Sequence, residues 1–114
     1  MKGVYVLLIK LNKKRKIKIG KRGVFCFPAG RYIYVGSAMN NLEKRIERHK
    51  SRKKRMHWHI DYFLKYANII NVLKIETKRK IECSLASKIK GEIIAEKFGS
   101  MDCKCKSHFF LLPS

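Results

Sequence analysis

The sequence predicts a single α+β domain, in which a small, mostly antiparallel sheet is flanked by about three helices. Its 114 residues are enough for one hydrophobic core and too few for two. Segments rich in β-branched and aromatic residues open and close the chain, and segments with a helical apolar stripe lie between them. We therefore expect residues 1–114 to fold as one unit.

Three segments in the first third of the chain are predicted strands. Gly3–Leu11 is apolar almost without alternation, which indicates a central strand buried on both faces. Lys16–Ile19 alternates strictly, and we expect it to form a hairpin with the first strand. Arg31–Gly36 is again nearly continuous and β-prone, and the short apolar patch Val24–Phe27 precedes it.

Two helices are predicted in the middle of the chain. The first begins at Asn40, a suitable cap, with Glu43 three residues later as in a capping box. The second runs from about His57 to Tyr66, and its apolar residues fall on one face at helical spacing: Ile60, Phe63, Leu64 and Ala67.

The last third is predicted to alternate strand, helix and strand. Ile69–Thr77 is β-like, and His108–Leu112 is a short final strand. Between them, Lys80–Lys97 is predicted as a helix that ends at Gly99, a favourable C-terminal cap. Its apolar stripe consists of Ile81, Leu85, Ile89 and Ile93.

The charge of the chain indicates a polyanionic partner. Lys and Arg total 28 against 8 Asp and Glu, a formal charge of +20. Self-repulsion at this density opposes a compact state unless an anion neutralises it. The basic residues are spread along the chain, no leader-like segment opens it, and the run Val4–Ile9 is too short to cross a bilayer. We therefore expect a cytoplasmic monomer or homodimer that binds nucleic acid, DNA above all, and no membrane.

Two tripeptides, Gly3-Val4-Tyr5 and Tyr34-Val35-Gly36, lie on predicted strands. A predicted helix with Arg45 and His49 on one face follows, and Glu82 opens a later helix. This ordered set resembles the GIY-YIG nuclease superfamily over nearly the whole chain, and most closely its small stand-alone Uri-type endonucleases. Four further segments carry that closer resemblance: Pro28–Gly30, His57–Tyr62, Glu82-Cys83 and Phe98–His108.

The chain departs from the superfamily pattern at two places. Residues 6–33, 28 in number, separate Tyr5 from Tyr34, where typical members have a short turn. The additional residues are expected to form an inserted hairpin. The Asn that many members carry near the end is also missing, so Ser107 or His108 takes its place, or nothing does.

The resemblance implies a metal-dependent DNA endonuclease selective for the structure or strand type of its substrate. Glu82 would hold Mg²⁺ or Mn²⁺. Arg45 would clamp the scissile phosphate. Tyr5 would be the base or the group that orients the water, with a metal or Arg lowering its pKa from ~10 and Tyr34 assisting. His49 would be a phosphate contact or a proton relay. Eight further residues would contact the nucleic acid: Gly36, Arg48, Lys53, Lys54, His57, His59, Ser107 and His108.

Several of these residues have structural alternatives. Glu82 can instead stabilise a helix N-terminus through the dipole. His57 and Asp61, four apart, can pair, and Trp58 is expected to be structural rather than to stack on bases.

Cysteines and histidines near the C-terminus leave a further question open. Cys103, Cys105 and His108 are ligand types for structural zinc, with Cys83 or a His of the second helix as a fourth. Buried thiols are the default expectation.

Two other functions fit the same composition. One is a non-catalytic module that binds DNA or RNA and retains the nuclease fold, and the other is an RNA-binding protein of ribosomal type. Both explain the charge, but the second leaves Glu82 and the paired Tyr motifs without a role.

Overall fold

The computed structural model describes residues 2–51, 54–79, 81–100 and 105–113, and these form an α+β fold. A four-stranded antiparallel sheet has the order β5-β1-β4-β6, and β2 and β3 form a separate two-stranded sheet. The strands are β1 (Gly3–Leu11), β2 (Arg15–Lys18), β3 (Val24–Phe27), β4 (Gly30–Ala38), β5 (Asn68–Glu76) and β6 (Phe109–Leu111). The α-helices are α1 (Leu42–Lys50), α2 (His59–Leu64) and α3 (Glu82–Ser87). None of the described helices is long and apolar enough to span a membrane.

The central position predicted for β1 is confirmed. It pairs with β4 on one side and β5 on the other, which places Tyr5 opposite Gly36. A Cβ atom built at Gly36 would lie 2.5 Å from the Tyr5 phenol, so only glycine fits beside that ring. The register therefore brings the two Tyr motifs together.

The predicted hairpin between the first two strands is wrong, whereas the predicted insertion is present. β2 pairs with β3, with Ile17 opposite Phe25, and takes no place in the main sheet. Both edges of β1 are already occupied by β4 and β5, so β2 finds its hydrogen-bond partner within the insertion. The hairpin buries Ile17, Ile19 and Phe27 in the core.

The first helix begins one residue later than predicted, and the second is shorter than predicted. Asn41, not Asn40, caps α1, because its side-chain oxygen accepts a hydrogen bond from the Lys44 amide at 3.0 Å. The second helix is confined to His59–Leu64. Its predicted core face is buried, and Phe63 packs edge-on against Phe27 and Phe109 at ring centroid distances of 5.1 and 4.7 Å.

The long third helix predicted over residues 80–97 is wrong. α3 ends at Ser87, and Glu92 instead exchanges two backbone hydrogen bonds of 2.8 Å with Leu111 of β6. Gly91 allows this approach, since a Cβ there would lie 2.9 Å from the Leu111 carbonyl oxygen. Glycine also disfavours a helix by about 1 kcal/mol relative to alanine. Consequently Gly99, at φ 72°, lies in a turn and caps no helix.

Candidate functional site

One cleft of about 220 Å³ brings together four of the five residues predicted to be catalytic. Tyr5 and Tyr34 line it from the sheet, Arg45 from α1 and Glu82 from α3. The other lining residues are Val35, Gly36, Ser37, Trp58, Gly99 and His108. Larger clefts exist elsewhere on the described surface, but none of them gathers these side chains.

The two tyrosines form the floor of this cleft. Tyr5 is 1% exposed and Tyr34 is 5% exposed, and their ring centroids lie 6.3 Å apart. The positions follow from the pairing of β1 with β4, in which Tyr5 faces Gly36 two residues beyond Tyr34. The sheet therefore fixes the positions of both phenol groups beside the cleft.

His49 lies outside the cleft lining and contacts Tyr5 from α1. The Tyr5 hydroxyl oxygen is 2.7 Å from His49 Nε2, and His49 Nδ1 is 4.0 Å from Asp61 Oδ1. At 4.0 Å the second contact is not a hydrogen bond, and His49 Nδ1 has no hydrogen-bond partner among the described residues. The nearby carboxylate charge favours a proton on Nδ1, which leaves Nε2 to accept the hydrogen bond of the phenol hydroxyl. The three side chains form a buried chain from Tyr5 through His49 to Asp61.

Burial controls the protonation of this chain. It raises the pKa of Tyr5 to about 12, against the opposing effect of the Arg45 guanidinium. It lowers the pKa of His49 to about 3, with Asp61 acting in the opposite direction. At neutral pH the phenol is therefore protonated and the imidazole is neutral. Arg45 alone does not bring the pKa of Tyr5 below its ordinary value, contrary to one of the two possibilities expected from the resemblance.

Asp61 makes most of the hydrogen bonds of this network, a wider role than the pairing with His57 that the sequence predicts. Arg48 donates to both carboxylate oxygens, at 2.9 and 3.0 Å, while the backbone amides of His57 and Trp58 donate to Oδ2. Burial would raise the pKa of Asp61, but these hydrogen bonds outweigh it and the pKa is lowered. The expected pairing of His57 with Asp61 therefore uses the His57 backbone. The local signal in the sequence is an acidic residue in the first turn of α2. Its carboxylate accepts a hydrogen bond from the backbone amide of Trp58, the N-cap residue.

Trp58 positions the arginine of the cleft. The Arg45 guanidinium lies 4.2 Å from the centroid of the Trp58 ring and donates to the Ser37 carbonyl at 2.9 Å. The Arg48 guanidinium lies 4.4 Å from the same ring. Cation–π contacts with one indole therefore hold both cations, and Arg45 reaches the cleft in a fixed orientation.

Glu82 is the acidic residue that lines the cleft. It lies in the first turn of α3, and its Oε2 atom is buried without a hydrogen-bond partner among the described residues. Buried carboxylate oxygens are normally satisfied. An oxygen of this kind, facing a cleft, is a suitable ligand for a hard divalent cation.

A second set of metal-ligand types lies next to the cleft. The ligand atoms of Cys83, Cys105 and His108 all lie within 4.8 Å of one another, close enough to hold a metal ion. Cys83 Sγ and His108 Nε2 are 3.5 Å apart. Cys83 thus joins the group directly, whereas Cys103 falls outside the described residues.

The other predicted nucleic-acid contacts have varied surroundings. His59 Nδ1 accepts a hydrogen bond from the Gly99 amide at 3.0 Å, and Ser107 is buried and bonded to the Phe109 amide. The Lys54 ammonium donates to the carbonyl oxygens of Arg48 and His49, at the C-terminal end of α1. Lys53 is outside the described residues. Each of the three described side chains therefore makes contacts within the protein.

Comparison with known proteins yields one finding. The model of a family described as "Domain of unknown function DUF123" matches residues 4–114. Searches of the curated proteins and of the solved structures gave no significant match.

Proposed function

The chain belongs to the DUF123 family, and we propose that it is a metal-dependent endonuclease of the GIY-YIG type that hydrolyses phosphodiester bonds in DNA. The observation that carries the proposal is the cleft in which Tyr5, Tyr34, Arg45 and Glu82 meet. Hydrolysis of a phosphodiester needs a base, a positioned water and positive charge on the phosphate. The cleft offers side chains suited to each requirement.

Tyr5 and His49 supply the base. The phenol oxygen removes a proton from the attacking water while its own proton passes to His49 Nε2, 2.7 Å away. Asp61 favours protonation of His49, but burial outweighs it and lowers the pKa of His49 to about 3, so the imidazole accepts this proton only in concert with attack of the water on phosphorus. A direct transfer of this kind avoids a free phenolate, which the raised pKa of Tyr5 makes costly.

Arg45 and Glu82 neutralise the phosphate. The guanidinium, oriented by the Ser37 carbonyl and the Trp58 ring, can donate two parallel hydrogen bonds to the non-bridging oxygens. Glu82 would hold a Mg²⁺ or Mn²⁺ ion, which when bound supplies Lewis-acid charge to the reacting phosphate. The unpartnered Oε2 atom of Glu82 supports this assignment.

The strong positive charge supports nucleic acid as the substrate. A chain of formal charge +20 gains affinity by releasing counterions from the phosphate backbone, independently of base sequence. We therefore expect selection by DNA structure or strand type rather than by sequence.

The proposal is tested with supercoiled, single-stranded and branched DNA in the presence of Mg²⁺ or Mn²⁺. Wild type is compared with Glu82→Gln and with Glu47→Gln, an exposed acid on α1. We expect cleavage by wild type and by Glu47→Gln, and a loss of about 10³-fold in Glu82→Gln, equivalent to several kcal/mol of charge stabilisation. DNA affinity should remain in all three.

Two results would overturn the proposal. Tight DNA binding by wild type without turnover, under any of these metal conditions, would identify a non-catalytic binding module. Preference for structured RNA over every DNA substrate, with no cleavage, would favour the RNA-binding alternative. Full activity in Glu82→Gln would show that Glu82 does not hold the catalytic cation, and would leave the nuclease function itself standing.

A further inference from the structure

We propose that Cys83, Cys105 and His108 bind a zinc ion that fastens α3 to the C-terminal part of the chain. The zinc site stands apart from the proposed nuclease reaction. Only its consequence for Glu82, the residue before Cys83, rests on that proposed function.

The distances suit zinc. Zinc–sulfur bonds of about 2.3 Å and zinc–nitrogen bonds of about 2.0–2.1 Å at tetrahedral angles separate sulfur from nitrogen by about 3.6 Å. Cys83 Sγ and His108 Nε2 are 3.5 Å apart. The largest separation allowed within the group, 4.8 Å, exceeds the tetrahedral value by about 1 Å, which side-chain rotation can close.

The ligand types also select zinc over the cation proposed at Glu82. Two sulfurs and an imidazole nitrogen form a soft donor set, whereas Mg²⁺ and Mn²⁺ prefer oxygen. The two sites are neighbours along the chain, since Glu82 and Cys83 are consecutive. The fold thus offers one hard and one soft site at the start of the same helix.

His108 is held in place before any ion binds. It is 3% exposed, its amide donates to the Phe98 carbonyl at 2.9 Å, and its carbonyl accepts from the Val35 amide of β4 at 2.9 Å. The carbonyl of Cys105 accepts from the Ser100 hydroxyl at 3.0 Å. Two of the three protein ligands therefore have fixed backbones, and a water molecule would supply the fourth position of a tetrahedral zinc ion.

The helix that carries the third ligand needs such an anchor. α3 has six residues, fewer than a helix requires to be stable alone, and among them only Ala86 is fully buried. An ion shared with Cys105 and His108 would tie this helix to residues 22 and 25 positions after Cys83. Because His108 also lines the cleft, the same ion would fix the backbone of Glu82 relative to the tyrosines.

The test measures metal content and coordination in the full chain purified without chelators and under reducing conditions. Elemental analysis should find one zinc ion per wild-type chain and only a trace in Cys83→Ser and Cys105→Ser. Zinc affinity in these variants should fall by more than about 100-fold, beyond the effect of losing a supporting residue. Cys26→Ser is the matched control, because Cys26 is an exposed thiol on β3.

Cobalt substitution gives a second readout that does not involve DNA. Co²⁺ in the wild-type site should show intense tetrahedral bands and thiolate charge-transfer absorption, and both should disappear in Cys83→Ser. If that variant does not fold, His108→Asn and reversible removal of zinc from wild type by a chelator, with a lowered melting temperature, test the same site.

Three outcomes would overturn the zinc proposal. They are wild type without zinc, a purely octahedral cobalt spectrum, and equal metal loss in Cys26→Ser. Zinc binding in a protein that never cleaves DNA would support the site and contradict the nuclease function. Cleavage by a zinc-free wild type would do the reverse, so the two proposals fail independently.

Discussion

The two sides of the cleft differ in how firmly the fold holds their side chains. Tyr5, Tyr34 and Arg45 lie on β1, β4 and α1, each nine residues long, and β1 and β4 pair along their whole length. Glu82 lies on α3, which has only six residues, and His108 directly precedes β6, which has only three. We infer that the side proposed to handle protons is organised by the fold itself, whereas α3, on the side proposed to hold cations, needs its ions to reach full order.

The difference has an energetic origin in the polar network behind Tyr5. Asp61 is fully buried and receives two hydrogen bonds from Arg48 and two from backbone amides. These four hydrogen bonds hold the Asp61 carboxylate and Arg48 in one arrangement, although His49 Nδ1 beside them is buried without a hydrogen-bond partner among the described residues. Across the cleft, Oε2 of Glu82 lacks a partner among the described residues, which leaves that side incomplete without a ligand.

The sharpest test of this comparison is Tyr5→Phe, which removes one oxygen from the rigid side. Losing a general base lowers the cleavage rate by about 10²–10⁴-fold. DNA affinity should stay the same, and stability should fall by only about 1 kcal/mol, because His49 Nε2 loses its partner. Cleavage kinetics and chemical denaturation measure the two effects.

Tyr66→Phe is the matched control, since Tyr66 is 44% exposed. Cleavage by Tyr5→Phe at the wild-type rate would show that the base lies elsewhere.

The next largest effect is expected for Asp61→Ala, which breaks the network itself. Removing one partner of a buried ion pair costs about 3–5 kcal/mol in unfolding free energy, and Arg48 is left with uncompensated charge. Urea denaturation at neutral pH measures the loss. Glu47→Ala, on the exposed face of α1, should change stability by less than about 0.5 kcal/mol. Equal effects in the two variants would mean that the rigid side does not depend on Asp61.

The smallest effect concerns the pH dependence of stability. The folded pKa of His49 is lowered from 6.5 to about 3, so the unfolded chain takes up a proton first as the pH falls. Stability contributed by His49 is complete above about pH 6.5 and decreases below it by up to about 1.4 kcal/mol per pH unit. The groups facing His49 are Tyr5 from β1, Asp61 from α2, and the cations Arg45, Arg48 and Lys54.

Denaturation of wild type and His49→Gln between about pH 5 and 7 isolates this contribution. Asp61 keeps its charge throughout this range, and the lowered pKa of His59 acts on both proteins, so the difference in slope belongs to His49. Parallel curves would show that His49 is not buried in its neutral form.

The strands that carry the tyrosines were predictable because their signal is local. β1 and β4 are continuous runs of β-branched and aromatic residues, which form strands wherever they are buried. The prediction of a long third helix was wrong because the decisive contact is not local. Its four-residue stripe fits a helix, but β6 offers Glu92 a backbone partner that no periodicity reveals.

The residues of the site divide in the same way. Tyr5, Tyr34, Arg45 and Glu82 were selected from the order of their motifs, and they line one cleft. Asp61 was anticipated only as a partner of His57, since its four hydrogen bonds come from groups placed by the fold. The grouping of Cys83 with Cys105 and His108 depends on how α3 meets the C-terminal segment.

The sequence by itself determined the fold class, the central strand and the excess of positive charge, because these depend on composition and on short-range patterns. Only the tertiary structure decided which strand pairs with the insertion, which acid holds His49 and which thiols face each other. Those choices are made by contacts between residues far apart in the chain, where hydrogen-bond partners and space are shared among competing segments.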